Sequence, residues 1–144
     1  MPGDGCLFCA IVAGNAPAHV VLDEPDVFAF LDIRPVFKGH VLVVPRQHVV
    51  TLPDLPPDLL APLFGAVARC AAAVVDGLGA QGSWVSENNT VSQAVPHLHV
   101  HVVPRTKGDG LRGFFWPRTK YASEEEADDY AARLRAALTS GRAS

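Results

Sequence analysis

The sequence predicts an α+β fold: an antiparallel sheet of about five strands with one long central helix and a C-terminal helix. Three observations predict it. Short apolar runs are bounded by Gly, Pro and Asp. One long segment repeats its apolar residues at helical spacing. A second helical pattern follows a capping serine.

Taken in order, Cys6–Gly14 reads as a short helix stopped by Gly14 and Pro17. Val20–Asp23 and Val27–Asp32 read as strands joined at Glu24-Pro25-Asp26, and Arg34-Pro35 breaks the second. After Gly39, the nearly continuous apolar run His40–Pro45 suits a central strand. Pro53, Pro56 and Pro57 lead into the long helix, where Leu60, Leu63, Phe64, Val67, Ala71, Val74, Val75 and Leu78 recur at helical spacing before Gly77 and Gly79. Trp84–Glu87 is a short strand, Asn88–Ala94 a polar turn, and Pro96–Val103 a strand that Pro104 ends. Ser123 with Glu126 forms a capping box for a last helix, whose stripe is Ala127, Tyr130, Ala131, Leu134 and Leu138.

The 144 residues fit a single domain over 1–144, with its informative motifs in 6–105 and a tail and helix in 106–144. Hydrophobic residues make up 49% of the chain, which is enough for a core. The formal charge of −3 supplies no basic field for nucleic acid, so an anionic ligand needs a local site. The start Met1-Pro2-Gly3-Asp4-Gly5-Cys6 lacks a signal-peptide pattern, and no run approaches about 18 uninterrupted apolar residues. A cytoplasmic protein without a membrane partner is expected. There Cys6, Cys9 and Cys70 read as thiols or metal ligands before disulfides.

The chemistry concentrates in His97-Leu98-His99-Val100-His101. On a strand, alternate residues share one face and lie about 6.5–7 Å apart, so neighbouring imidazoles can share a small ligand. Imidazole can attack phosphorus, leave again, carry a proton or donate to phosphate oxygens. The same row also suits a metal site. Cys6 and Cys9 form a Cys-x2-Cys knuckle able to share one tetrahedral ion, although redox-active or inert thiols give the same spacing. Cys70, among Ala and Val on the long helix, reads as a buried inert thiol.

The stretch Ser92-Gln93-Ala94-Val95-Pro96-His97-Leu98-His99-Val100-His101-Val102-Val103-Pro104-Arg105 resembles the signature of the histidine-triad (HIT) family. Cys6-Leu7-Phe8-Cys9, Ala29-Phe30-Leu31-Asp32-Ile33-Arg34-Pro35 and Gly39–His48 resemble further blocks of that family in the right order. The resemblance implies a nucleotide hydrolase or nucleotidyl transferase acting on a nucleoside phosphoramidate or dinucleoside polyphosphate, with a purine nucleotide as ligand. His99 would attack the α-phosphorus, forming a covalent nucleotidyl-histidine that water releases, and His101 would bond the phosphate or leaving group. Backbone N–H groups near Gln93–Val95 would stabilise developing charge. Asp32 would hold the ribose hydroxyls, although alone it reads as a turn residue. Ile33, Phe8 and Phe30 would line the base pocket, although each also suits plain core. His40 is either a site residue or a satisfied structural histidine. A site-facing amide falls on Ser86 by ungapped counting, or on Asn88 or Asn89 with a shorter loop; Asn88 is our choice.

Members with the N-terminal knuckle hold a structural zinc with two histidines, and the matching set here is Cys6, Cys9, His48 and His97. The family also implies a homodimer with a sheet continuous across subunits. Three features depart from its pattern: Ser92 replaces a usual Gly, Ala94 replaces a hydroxyl that many members use to help the leaving group, and the loop Ser86-Glu87-Asn88-Asn89-Thr90-Val91 lacks the usual glycines. In the tail, Lys107, Arg112 and Arg118 read as surface cations within reach of polyphosphate, and Phe114-Phe115-Trp116-Pro117 as a cover for the site or part of a dimer interface. Two alternatives stay open: a metal-dependent hydrolase using the histidine row as ligands, and a non-enzymatic nucleotide-binding regulatory protein.

Overall fold

The computed structural model describes residues 3–111 and 118–141. Arg112 and the Phe114-Phe115-Trp116-Pro117 cluster lie outside the described residues. Contacts group the chain into two compact units, Met1–Asp109 and Gly110–Ser144.

The first unit is an open antiparallel sheet. Its strands are β1 (Val20–Asp23), β2 (Val27–Leu31), β3 (Val41–Pro45), β4 (Gly82–Ser86) and β5 (Val100–Arg105), in the spatial order β1-β2-β3-β5-β4. Helix α1 (Leu7–Val12) precedes β1, and helix α2 (Leu60–Leu78) joins β3 to β4. Side chains alternate across the sheet as the pleat requires. Val27, Ala29, Val41, Val43, Val100 and Val102 form one core with Leu63, Ala66, Val67, Cys70 and Val74 of α2. Phe28, Phe30, Leu42 and Val44 face the other way, onto Phe8 and Ile11 of α1. Residues 57–78 are long and apolar enough to cross a membrane by length and composition. The stripe buried against the sheet is what a core helix requires.

Local chemistry explains the boundaries. The prolines ahead of α2 form two short 3-10 turns, Leu52–Asp54 and Pro57–Leu59, before the α-helix begins. Gly79 ends α2 with φ of 74°, a left-handed cap that a side chain would strain. Gly39, at φ of 98°, turns the chain into β3, and an added Cβ would lie 2.3 Å from Leu78 Cδ1. Arg46, just after β3, donates to the Val12 and Glu24 carbonyls and pairs with Asp23. It thereby ties the end of α1 to the β1–β2 turn.

The histidine segment departs from the expected strand over Pro96–Val103. β5 begins only at Val100, because the His97 amide donates to Val95 O and the Leu98 amide to Val49 O, not to a neighbouring ladder. Of the three histidines only His101 is a strand residue. Pro104 does not end the strand either. β3 pairs with β5 only as far as Val102, so Pro104 has β4 alone beside it, a position that tolerates a missing N–H. β4 also starts two residues before the expected Trp84.

In the second unit, helix α3 (Glu124–Ser140) is capped by Ser123 Oγ, which accepts from the Glu126 amide. Glu126 Oε1 accepts from the Ala122 amide, one residue earlier than a capping box requires. Three glutamates in its first turn suit the positive end of the helix. The expected stripe stays open: Tyr130, Leu134 and Leu138 are all exposed.

Candidate active site and metal cluster

On the α1 side of the sheet lies a cavity of about 490 Å³, within the size range of small-molecule sites. Phe8, Phe30, Asp32, Ile33, His99 and His101 all line it. Phe8 and Phe30 are buried and edge-on to one another at 5.2 Å, whereas Ile33 is exposed at the rim. Asn88 is exposed and not among the lining residues. The Gln93 side chain is spent on the loop, accepting from the Thr90 amide and donating to Val50 O. Asn89 Oδ1 accepts from the Leu52 amide, which makes it a loop brace. Lys107 and Arg118 are exposed. Arg34, which the sequence marks only as a strand breaker, lines the cavity.

His99 is buried, and its Nδ1–H donates to His97 O at 2.7 Å. A carbonyl can only accept, so the ring proton sits on Nδ1 and the lone pair on Nε2. That is the tautomer a nucleophile needs. The His99 ring meets Phe8 edge-on at 5.1 Å and the His101 ring at 5.0 Å.

His101 gains its tautomer from further away. The Val36 amide donates to His40 Nδ1 at 3.1 Å, which leaves the proton of a neutral His40 on Nε2. His40 Nε2 lies 3.0 Å from His101 Nδ1 and donates to it. His101 must then carry its own proton on Nε2, as a donor. Burial, with the His99 and His40 imidazoles adding to it against the Asp32 carboxylate, pushes His101 down to about 4. Burial also lowers His40, with Asp32 opposing and His99 reinforcing the effect. Both rings are therefore neutral near pH 7 and the directional chain persists. Sequence reasoning left His40 undecided, because only the fold brings it to His101.

Asp32 follows β2 in a turn where Oδ1 accepts from the Arg34 amide at 2.9 Å. Its Oδ2 lies 3.8 Å from His40 Nδ1. The residue is thus both a turn former and part of the cavity wall. Upstream of the histidines, Ser92 adopts φ of 61° and Thr90 φ of 69°. The backbone here takes a left-handed form that glycine adopts without strain.

His97 belongs to a different site. Cys6, Cys9, His48 and His97 bring one ligand atom each into a group whose members lie within 4.8 Å of one another. His97 Nδ1 is 3.5 Å from Cys6 Sγ, 3.4 Å from Cys9 Sγ and 3.3 Å from His48 Nδ1, and Cys9 Sγ to His48 Nδ1 is 3.2 Å. A tetrahedral ion with bonds of about 2.0–2.3 Å needs ligand atoms about 3.3–3.8 Å apart, so the set fits zinc. His97 Nε2–H donates to Pro45 O at 2.8 Å, which leaves the Nδ1 lone pair for a metal. Gly3 closes over the group: an added Cβ there would lie 2.8 Å from Cys9 Sγ. Burial, then the hydrogen bond and charge of Cys6, raise Cys9 to about 11. A divalent cation reverses that cost by holding thiolates. The structure thus divides the histidine row. Asp32, His40 and His101 form a second group of potential ligands, and His99 belongs to neither.

The sequence model of the HIT domain family matches residues 13–108. Protein hit of Bacillus subtilis is 38% identical over 130 residues, covering 88% of this chain and 84% of its own. The adenosine 5'-monophosphoramidase of Schizosaccharomyces pombe is 32% identical over 122 residues, covering 83% of this chain and 89% of its own. Among solved structures, a zinc-bound histidine-triad family protein from Mycobacterium smegmatis is 37% identical with a TM-score of 0.72, covering 93% of this chain and 98% of its own.

Proposed function

We infer that this chain, which belongs to the HIT domain family, cleaves a nucleoside phosphoramidate or dinucleoside polyphosphate through a covalent nucleotidyl-histidine. Nucleotide hydrolase activity is the broad function its relatives support. One observation carries the finer reading: His99 Nδ1–H is committed to His97 O, leaving a free lone pair on a residue that lines the cavity.

The reaction runs in two displacements. His99 Nε2 forms a bond to the α-phosphorus while the bond to the leaving group breaks and its electron pair departs with that group. Water then attacks the same phosphorus, the P–N bond to His99 breaks, the nucleoside monophosphate leaves and His99 recovers its lone pair. The proton that water sheds balances the one the leaving group takes up from solvent. His101 presents Nε2–H to the phosphoryl oxygens as charge builds. Asp32 accepts from the ribose hydroxyls, while Phe8, Phe30 and Ile33 hold a purine base. Asn88 and Gln93 are not among the cavity-lining residues, and Ala94, which is, brings no hydroxyl to the leaving group. Cys6, Cys9, His48 and His97 would hold a structural zinc, a closed site with no open position for substrate.

Mass spectrometry of the protein mixed with adenylylated substrates tests this. A nucleotidyl adduct on His99, absent in His99→Ala, is the expected result; turnover surviving in His99→Ala removes the assignment. Stoichiometric zinc by elemental analysis checks the cluster. We also propose a homodimer with a sheet continuous across subunits, as the family resemblance implies; β4 stands last in the strand order. Light scattering checks its mass. The free thiols Cys6, Cys9 and Cys70 favour a cytoplasmic setting.

A further inference from the structure

Two short segments have one end in the cysteine–histidine cluster and the other in the cavity. In the first, Phe8 sits on α1 between Cys6 and Cys9. Its buried ring lines the cavity and meets Phe30, His97 and His99 edge-on at 5.2, 6.0 and 5.1 Å. In the second, the His97 imidazole faces the thiols while its carbonyl accepts from His99. Helix α1 has only six residues, far below the length at which an isolated helix is stable. Its N-cap is the Cys6 thiol, which accepts from the Cys9 amide at 3.4 Å. What holds the cysteines therefore holds Phe8 against the cavity.

We propose that metal occupancy of the Cys6–Cys9–His48–His97 cluster and nucleotide occupancy of the cavity are positively coupled, with Phe8 as the positioning residue between them. The inference rests on the zinc and nucleotide readings above. A bound ion orders α1 and the His97 segment beforehand, so a nucleotide does not have to order them on binding. Coupling is reciprocal: nucleotide must raise metal affinity by the same factor.

The test is calorimetric titration of AMP into zinc-loaded and metal-stripped protein, each verified as folded by circular dichroism. About tenfold weaker AMP binding after stripping is expected. Equal affinities in folded protein overturn the proposal. If stripping unfolds the chain, the reciprocal measurement decides: saturating AMP must raise the affinity of the loaded protein for zinc, against a competing chelator, by about the same factor. A zinc affinity indifferent to AMP overturns the coupling. Phe8→Leu should keep its zinc yet lose most of the coupling, and full coupling in that variant removes the role of Phe8. Loaded protein that binds no AMP, or purified protein that holds no zinc, also overturns the proposal. Each of those results falls on the underlying reading, and neither resembles equal affinities.

Discussion

His97, fully buried, and His101, half-buried, are imidazoles four positions apart, and the structure places them in opposite chemical situations. His97 anchors Nε2–H on Pro45 O and turns a bare Nδ1 toward two thiols. His101 has Nδ1 filled by His40 and turns Nε2–H toward the cavity. One is built as a ligand and the other as a donor. Between them, His99 has Nδ1 committed to a carbonyl, which leaves Nε2 as its unfilled ring nitrogen. What distinguishes the three is the partner on the opposite nitrogen.

The largest expected effect breaks the middle case. On the proposed mechanism His99→Ala should cost about three or more orders of magnitude in kcat, since it removes the nucleophile, measured by single-turnover product release. On the donor side, His40→Ala removes the partner that sets the His101 tautomer. We expect kcat to fall by about ten- to a hundred-fold, with nucleotide affinity changed much less. The pH profile separates this from a packing defect, because loss of the His40 imidazole lets His101 titrate higher. On the ligand side, Cys9→Ser should cut zinc affinity by at least about a hundred-fold and lower the Tm, read by chelator competition and calorimetry.

The acid response sharpens the comparison further. His101 is held down near 4 and His40 is lowered in the same direction, both chiefly by burial. Below the ordinary imidazole value of about 6.5 the unfolded chain takes up protons that the folded chain refuses. Their contribution to stability is therefore complete above about 6.5 and is lost as the pH falls toward about 4. Denaturant melts at fixed zinc across that window should show the decline, and His101→Asn should flatten it. The smallest effect lies upstream, where Ser92→Gly relieves a left-handed φ of 61°. A gain of about 0.5–1 kcal/mol is expected from urea melts, with no loss of activity.

Much of this was legible in the sequence. Apolar period and turn residues located α2, β1, β2 and β3 to within a residue or two, because burial of one face imposes that period. The histidine strand was misplaced because alternation continues through residues 97–99 although the ladder does not; Leu98 instead bonds to Val49. The cysteine knuckle and its distant histidines were recognisable only as a pattern. Spacing alone points to Ser86 for the site-facing amide and to Asn88 only with a shorter loop, and no local spacing shows that the loop braces itself through Asn89 and Gln93.

The sequence alone therefore determined the order of elements, the two-faced strands and the supply of imidazoles and thiols, all of which depend on local spacing. The tertiary structure decided which imidazole does which work. His40 reaches His101 across 61 positions and Cys9 reaches His97 across 88. A ring's tautomer follows from the donor or acceptor at its other nitrogen, and only folding brings such partners together.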